Sequence, residues 1–179
     1  MPFITEEYCK KLLADTVQVS GLPTEQDPDT CTELFAKIVR LVQVRDRSVK
    51  ELRNRLLKND ADPTDVESAL ARALDCGLLD DQRFAETLII SRKNAGRGRA
   101  GIERELEEND IDSSQISGWP EEYFPSEEEE VLRACALLER RPPTAKNKRE
   151  AAYRKLVSKG YASSLASRAA RIWFESQDS

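Results

Sequence analysis

The chain has 179 residues, a formal net charge of −5 and no histidine. Charged residues make up 34% and hydrophobic ones 39%, which excludes both a disordered chain and a large apolar core. Sparse Gly and Pro, with Leu, Ala, Glu, Arg and Lys dominant, point to an all-α protein of short units set side by side.

The N-terminal stretch MPFITEEYCKKLLADT has acids ahead of its lysines and no long apolar run. It reads as neither a secretory signal nor a transit peptide. No segment approaches the length of a membrane span. Cys9, Cys31, Cys76 and Cys135 are scattered without a CxxC pair. A zinc site would need all four from distant places, so free buried thiols in a reducing cytosol are expected, and no cofactor.

Residues 1–30 carry 2 basic and 6 acidic groups and are expected to form an N-terminal extension. From residue 31 a period of 50 emerges. SVKELRNRLLKNDA (48–61), GRAGIERELEENDI (98–111) and KREAAYRKLVSKGY (148–161) align. Leu56, Leu106 and Leu156 share one row, and Leu52, Ile102 and Ala152 another. Asp60, Asp110 and Gly160 fall at the helix C′ position, which favours φ > 0. An apolar residue follows each: Ala61, Ile111 and Tyr161. Preceding helices align through Leu34, Phe84 and Ala134, through Ile38, Leu88 and Leu138, and through Phe35, Ala85 and Cys135.

Three three-helix repeats follow, over 31–79, 80–125 and 126–179, giving an elongated, curved array. The first has helices over about 32–45, 48–59 and 63–76, with a Ser48-x-x-Glu51 capping box, Asp62-Pro63 as N-cap and N1, and Gly77 as the stop. The second has helices over about 81–94 and 98–109. Its third is broken by the prolines of SGWPEEYFP (117–125). In the last repeat Ser126-x-x-Glu129 caps a helix to about 140, followed by helices over about 146–158 and 162–176.

The paired carboxylates Asp80 and Asp81 fit a helix start, with Asp80 as N-cap and Asp81 in the first turn. No His or Cys clusters with them to make a catalytic site. GRGRAG (96–101) matches GxGxxG but follows a helix rather than a strand. It is expected to make a turn or to leave room for a partner's backbone. Glu127–Glu130 reads as a solvated helix start. Trp119, Tyr123 and Phe124 are expected to pack within the irregular segment.

Basic residues cluster at the turn between the first and second helices of each repeat. They are Arg45, Arg47, Lys50 and Arg53, then Arg92, Lys93, Arg97 and Arg99, then Arg140, Arg141, Lys146, Lys148 and Arg149. Helix dipoles account for cations at helix ends, but not for Arg97, Arg99, Lys148 or Arg149 at helix starts. A basic edge of this kind suits a phosphate backbone or an acidic protein groove. It contrasts with residues 112–130, which hold 7 acidic groups and no basic one.

The ordered set Arg47-Ser48-x-x-Glu51-Leu52-x-x-x-Leu56, Gly77-Leu78-Leu79-Asp80-Asp81-x-Arg83-Phe84-Ala85, Arg92 and Gly98-x-x-x-Ile102-x-x-Glu105-Leu106 resembles the bacterial RecX family. Leu156-x-x-Lys159-Gly160-Tyr161 is similar to its third repeat. The match covers about 31–176. Asn59-Asp60 and Asn109-Asp110 stand where the family often has Gly after a basic residue. The resemblance implies a cytoplasmic, non-enzymatic protein that binds the RecA–DNA filament; a monomer is expected, and the acidity of the chain is expected to limit contact with DNA itself to a weak one. It implies inhibition of RecA's ATPase, recombinase and coprotease functions, and so an influence on repair and the SOS response. Alternatives that fit the same basic edge are a helical adaptor for a protein without nucleic acid, and a DNA-binding protein independent of RecA.

Overall fold

A computed structural model describes residues 28–177. The expected N-terminal extension, up to residue 27, and Cys9 lie outside the described residues. Eight α-helices are present among the described residues, and no strand. They are α1 (Pro28–Val44), α2 (Val49–Leu57), α3 (Pro63–Asp75), α4 (Asp81–Asn94), α5 (Arg99–Glu107), α6 (Glu127–Arg140), α7 (Lys148–Ser158) and α8 (Ser163–Ser176). A short 3-10 turn, Ser113–Gln115, stands where the broken third helix of the second repeat is expected. The chain divides into two compact units, one ending at Phe84 and the other beginning at Ala85.

In the first unit α1 and α2 pack on α3. Phe35, Ile38, Val39, Leu52, Leu56, Val66, Leu70 and Leu78 fill the space between them. In the second unit α8 packs on both α6 and α7 over Ala134, Leu138, Ala152, Leu156, Leu165 and Trp173. The leucine row of the repeat is confirmed: Leu56, Leu106 and Leu156 are all 0% exposed, as are Leu52, Ile102 and Ala152. One aligned position differs. Leu88 is only half-buried, and Ile89 is fully buried beside Ala85, its i−4 neighbour on the helix face.

The helix ends follow from local chemistry. Asp60 has φ 55°, Asp110 φ 58° and Gly160 φ 84°, the left-handed backbone expected at these three turns. Ile111 N–H then donates to Leu106 O at 3.0 Å, and Tyr161 N–H to Leu156 O at 3.1 Å. Ser48 Oγ accepts from Glu51 N, Asp62 Oδ1 from Thr64 N and Ser126 Oγ from Glu129 N, each capping its helix. The last repeat starts its second helix two residues later than expected, because Asn147 is the cap and accepts from Glu150 N.

The paired aspartates divide their work. Asp80 Oδ1 accepts from Arg83 N at 3.0 Å and caps α4. Asp81 does more than sit in the first turn: its Oδ1 accepts from Val49 N at 3.0 Å, capping α2 from a later helix. Burial pushes the Asp81 carboxyl up, and the Val49 N–H only partly offsets this. Glu130 plays the same part for α5, whose N-cap is Gly98 and which has no side-chain cap of its own. Its Oε1 accepts from Arg99 N at 2.8 Å. Glu130 is therefore not a solvated residue like Glu127–Glu129; it is only 9% exposed.

An arginine stands at the same register near each of these acids, Arg83 and Arg133. Arg83 reaches Asp46 at 3.5 Å. Arg133 donates to Lys93 O at 2.9 Å and Arg97 O at 3.3 Å, with its guanidinium 5.2 Å from the centre of the Phe124 ring. Phe124 is buried, and Trp119 stacks near both Tyr123 and Phe124, so the aromatics do pack within the irregular segment.

GRGRAG is explained by the backbone it meets. Gly96, at φ 76°, makes the turn after α4. Gly98 N donates to Lys159 O at 3.0 Å and Gly101 N to Gly160 O at 2.8 Å. The backbone accommodated is the chain's own α7–α8 turn, not a partner's. A Cβ on Gly101 would stand 2.7 Å from Gly160 Cα, closer than two carbons can pack.

Two outcomes follow for stability. Leu106→Ala lowers unfolding free energy by about 2–5 kcal/mol in denaturant titration. Gly101→Ala also destabilises, although alanine is the better helix former by about 1 kcal/mol. A raised melting midpoint in that variant would contradict the backbone packing.

Candidate functional site

The thirteen basic positions divide into two kinds. In the first unit the cations are largely taken up by the fold. Arg45 reaches Glu51 at 2.6 Å, and Arg47 pairs with the same carboxylate. Arg47 is 9% exposed and its Nε also donates to Leu41 O at 3.1 Å, tying the end of α1 to the start of α2. Arg53 grips Glu67 of α3 with two donors, at 2.5 and 3.0 Å. Lys50 is half-buried on the same helix.

The start of the second unit is similar. Arg92 forks onto Glu105 of α5, with Nε 2.9 and 2.8 Å from the two carboxylate oxygens. That hydrogen bonding holds the Glu105 carboxyl below its usual range and raises Arg92. Lys93 donates to Tyr123 O and sits 5.5 Å from the centre of the Phe124 ring. Arg99 pairs with Glu103 at 3.0 Å. Arg97 is half-buried, lining a cleft with Gly101, Arg104, Glu105 and Glu108.

The α6–α7 turn is different. Arg140, Arg141, Lys146, Lys148 and Arg149 are all exposed, and their side chains make no ion pair among the described residues. Pro142 and Pro143 keep the loop out of either helix. Lys155 reaches across from α7 to donate to Arg141 O. Burial does most to lower the Lys155 pKa, and the nearby charges of Arg141 and Lys159 act in the same direction.

The geometry therefore places five of the thirteen on one open cationic turn and builds most of the others into helix packing. Three residues that matter here are not evident in the sequence as cross-helix groups: Asp81, Glu130 and Arg133. Lys155 is likewise missed by sequence reasoning. The 50-residue offset between Arg83 and Arg133 is the signal that could have paired those two helix starts. Among the described residues no group of three or more His, Cys, Asp or Glu is placed to hold a metal ion. No helix there is long and apolar enough to cross a membrane. Cys31 and Cys76 are half-buried and Cys135 buried, all as free thiols.

The Arg92–Glu105 pair carries a pH dependence. The folded carboxyl is depressed, so its contribution is present above the unfolded value of about 4.3 and is lost as pH falls through the folded value. Glu105→Gln destabilises by about 1 kcal/mol at neutral pH, discounted for partial exposure of the pair. Its deficit against the wild type shrinks in acid, as parallel denaturant titrations from about pH 7 to about pH 3 will read.

Comparison with known proteins agrees with this architecture. Two family models match: the first three-helix domain of RecX over residues 35–72 and the second over residues 80–117. The regulatory protein RecX of Mycolicibacterium smegmatis is 34% identical over 166 residues, 87% of this chain and 88% of that protein. RecX of Shigella dysenteriae is 39% identical over 88 residues, 44% of this chain and 53% of that protein. The match to RecX of Listeria innocua, at 31% identity, covers 75% of this chain and 51% of the relative. The crystal structure of RecX from Lactobacillus salivarius superposes with a TM-score of 0.63 at 17% identity, over 81% of this chain and 97% of that one. A shared fold, two matched domains and a relative aligned along nearly its whole length show that this chain belongs to the RecX family of regulatory proteins, built from tandem three-helix units.

Proposed function

We propose that the chain acts on the RecA–DNA filament as a non-enzymatic cytoplasmic inhibitor, working as a monomer of three tandem repeats over 31–79, 80–125 and 126–179. The observation that carries this reading is the open cationic turn of Arg140, Arg141, Lys146, Lys148 and Arg149 on a chain whose net charge is −5. Such a turn meets an acidic surface or a phosphate backbone. The overall acidity, and the 7 acids between 112 and 130, weaken long-range attraction to naked DNA. They favour a composite target in which acidic protein side chains supply much of the binding surface. Membership of a family of regulatory proteins supports the same reading, as does the absorption of the other cations into packing.

The direct test is the DNA-dependent ATPase of RecA with and without this chain. Inhibition is expected. No change at a several-fold excess over filament sites overturns the reading in favour of a helical adaptor for another protein. Neutralising the five cations to glutamine should leave the melting midpoint near that of the wild type and weaken binding to RecA-coated DNA. For every phosphate that the variant no longer neutralises, the slope of log K against log salt falls by about 0.9 on duplex or about 0.7 on single strands. Weaker binding without that change in slope points to carboxylates as the groups met. Tight wild-type binding to bare DNA with no effect on RecA points instead to an independent DNA-binding protein.

A further inference from the structure

The repeats show how one three-helix unit receives the next, and the last unit presents a groove at the equivalent register, beside a helix start capped by Asn147. The start of α2 takes the carboxylate of Asp81, and the start of α5 takes that of Glu130, each from the first turn of a later helix. Around α5 this interaction lies in a cleft of about 450 Å³ lined by Arg99, Ala100, Glu103 and Pro120 on one side and Glu127 and Glu130 on the other. Fifty residues on, Arg149, Glu150, Tyr153 and Ala170 line a groove of about 380 Å³ between α7 and α8. These four positions are the register equivalents of Arg99, Ala100, Glu103 and Pro120.

The chemistry of the α7 groove favours an acidic occupant more strongly than that of the α5 cleft. Arg149 lines it, and Lys146 and Lys148 on either side of Asn147 in the chain are exposed; none of the three makes an ion pair among the described residues. Its one carboxylate, Glu150, is occupied by Asn147 at 3.1 Å and Arg154 at 3.8 Å. Tyr153, half-buried against the α6–α8 core, supplies an apolar wall, and Ala170 and Ser167 leave room beside it. Charge complementarity and the two internal precedents specify the same occupant, a helix that begins with carboxylates.

We propose that the α7–α8 groove is a docking seat for the acidic first turn of a helix on a partner protein, received as α5 receives Glu130. The groove chemistry stands on its own; only the assignment of the partner to the RecA filament rests on the function proposed above.

The test uses the whole chain, isotope-labelled, and a synthetic peptide copying Ser126–Arg140 with Cys135→Ser. A second peptide carries Glu127→Gln through Glu130→Gln, and an oligothymidylate of similar length is the third probe. The acidic peptide is expected to give saturable shifts at the Lys148 and Arg149 amides and the Tyr153 ring. It should bind at least about tenfold more tightly than the glutamine peptide, as a charge-assisted hydrogen bond warrants. The Lys148→Glu, Arg149→Glu variant should abolish these shifts while keeping its melting midpoint, since acids suit a helix start. Equal affinity of the two peptides, or no saturable shift, overturns the proposal. Tighter binding of the oligothymidylate at the same amides overturns it in favour of phosphate. The same variant is then assayed on RecA-coated DNA. If the wild type ignores the filament while the peptide binds, the filament reading fails and the seat stands. If the wild type binds the filament and the peptide fails, the seat alone is overturned.

Discussion

A helix of nine residues leaves nearly half of its backbone N–H and C=O groups without intrahelical partners, and this constraint governs the molecule. Both α2 and α5 are that short. Neither length is stable alone in water, and each end has up to four orphan groups. The structure answers with side chains from elsewhere in the chain. Asp81 and Glu130 take the helix starts, left-handed residues close the ends, and Arg133 collects carbonyls at the end of α4. The hydrophobic rows fill the space inside a three-helix unit, but these polar interactions set how a short helix is seated against the element that follows.

The same constraint explains why so many arginines in a chain of this kind are structural. A planar guanidinium satisfies several carbonyls or both carboxylate oxygens at once from a fixed fork of donors, a geometry an ammonium lacks. Arg53 and Arg92 each span both oxygens of a carboxylate, Arg133 takes two carbonyls, and Arg47 takes one carbonyl and one carboxylate oxygen. The residues on the α6–α7 turn, by contrast, stand exposed around a loop stiffened by two prolines. None of them makes an ion pair among the described residues, and Arg141 adds to the effect of burial in lowering the pKa of Lys155.

Local rules make most of the fold legible. The 50-residue period identifies the buried leucines, and turn chemistry alone singles out Asp60, Asp110 and Gly160 as left-handed positions. The caps at Ser48, Asp62, Asp80 and Ser126 follow from the same rules. What stays hidden is the pairing of elements distant in sequence. Asp81 and Val49 are 32 residues apart and Glu130 and Arg99 are 31 apart, so no helix-start pattern could pair them. The basic cluster is legible as a set, but its division is not. Whether an arginine is free or paired depends on which acid the fold brings to it, as Glu105 shows for Arg92 and Glu67 for Arg53. The GxGxxG segment is legible as a close approach of backbones, though the approaching stretch of chain is internal rather than a partner's.

The seating of Gly98 and Gly101 on Gly160 has a mechanical consequence. Most helix packing is mediated by side chains, which can change rotamer and let two elements slide by fractions of a helical turn. Here main chain rests on main chain, held by two N–H donors with no intervening atoms to rearrange. The start of α5 and the α7–α8 turn therefore move as one body. A partner that pulls on α7 transmits the force directly to α5.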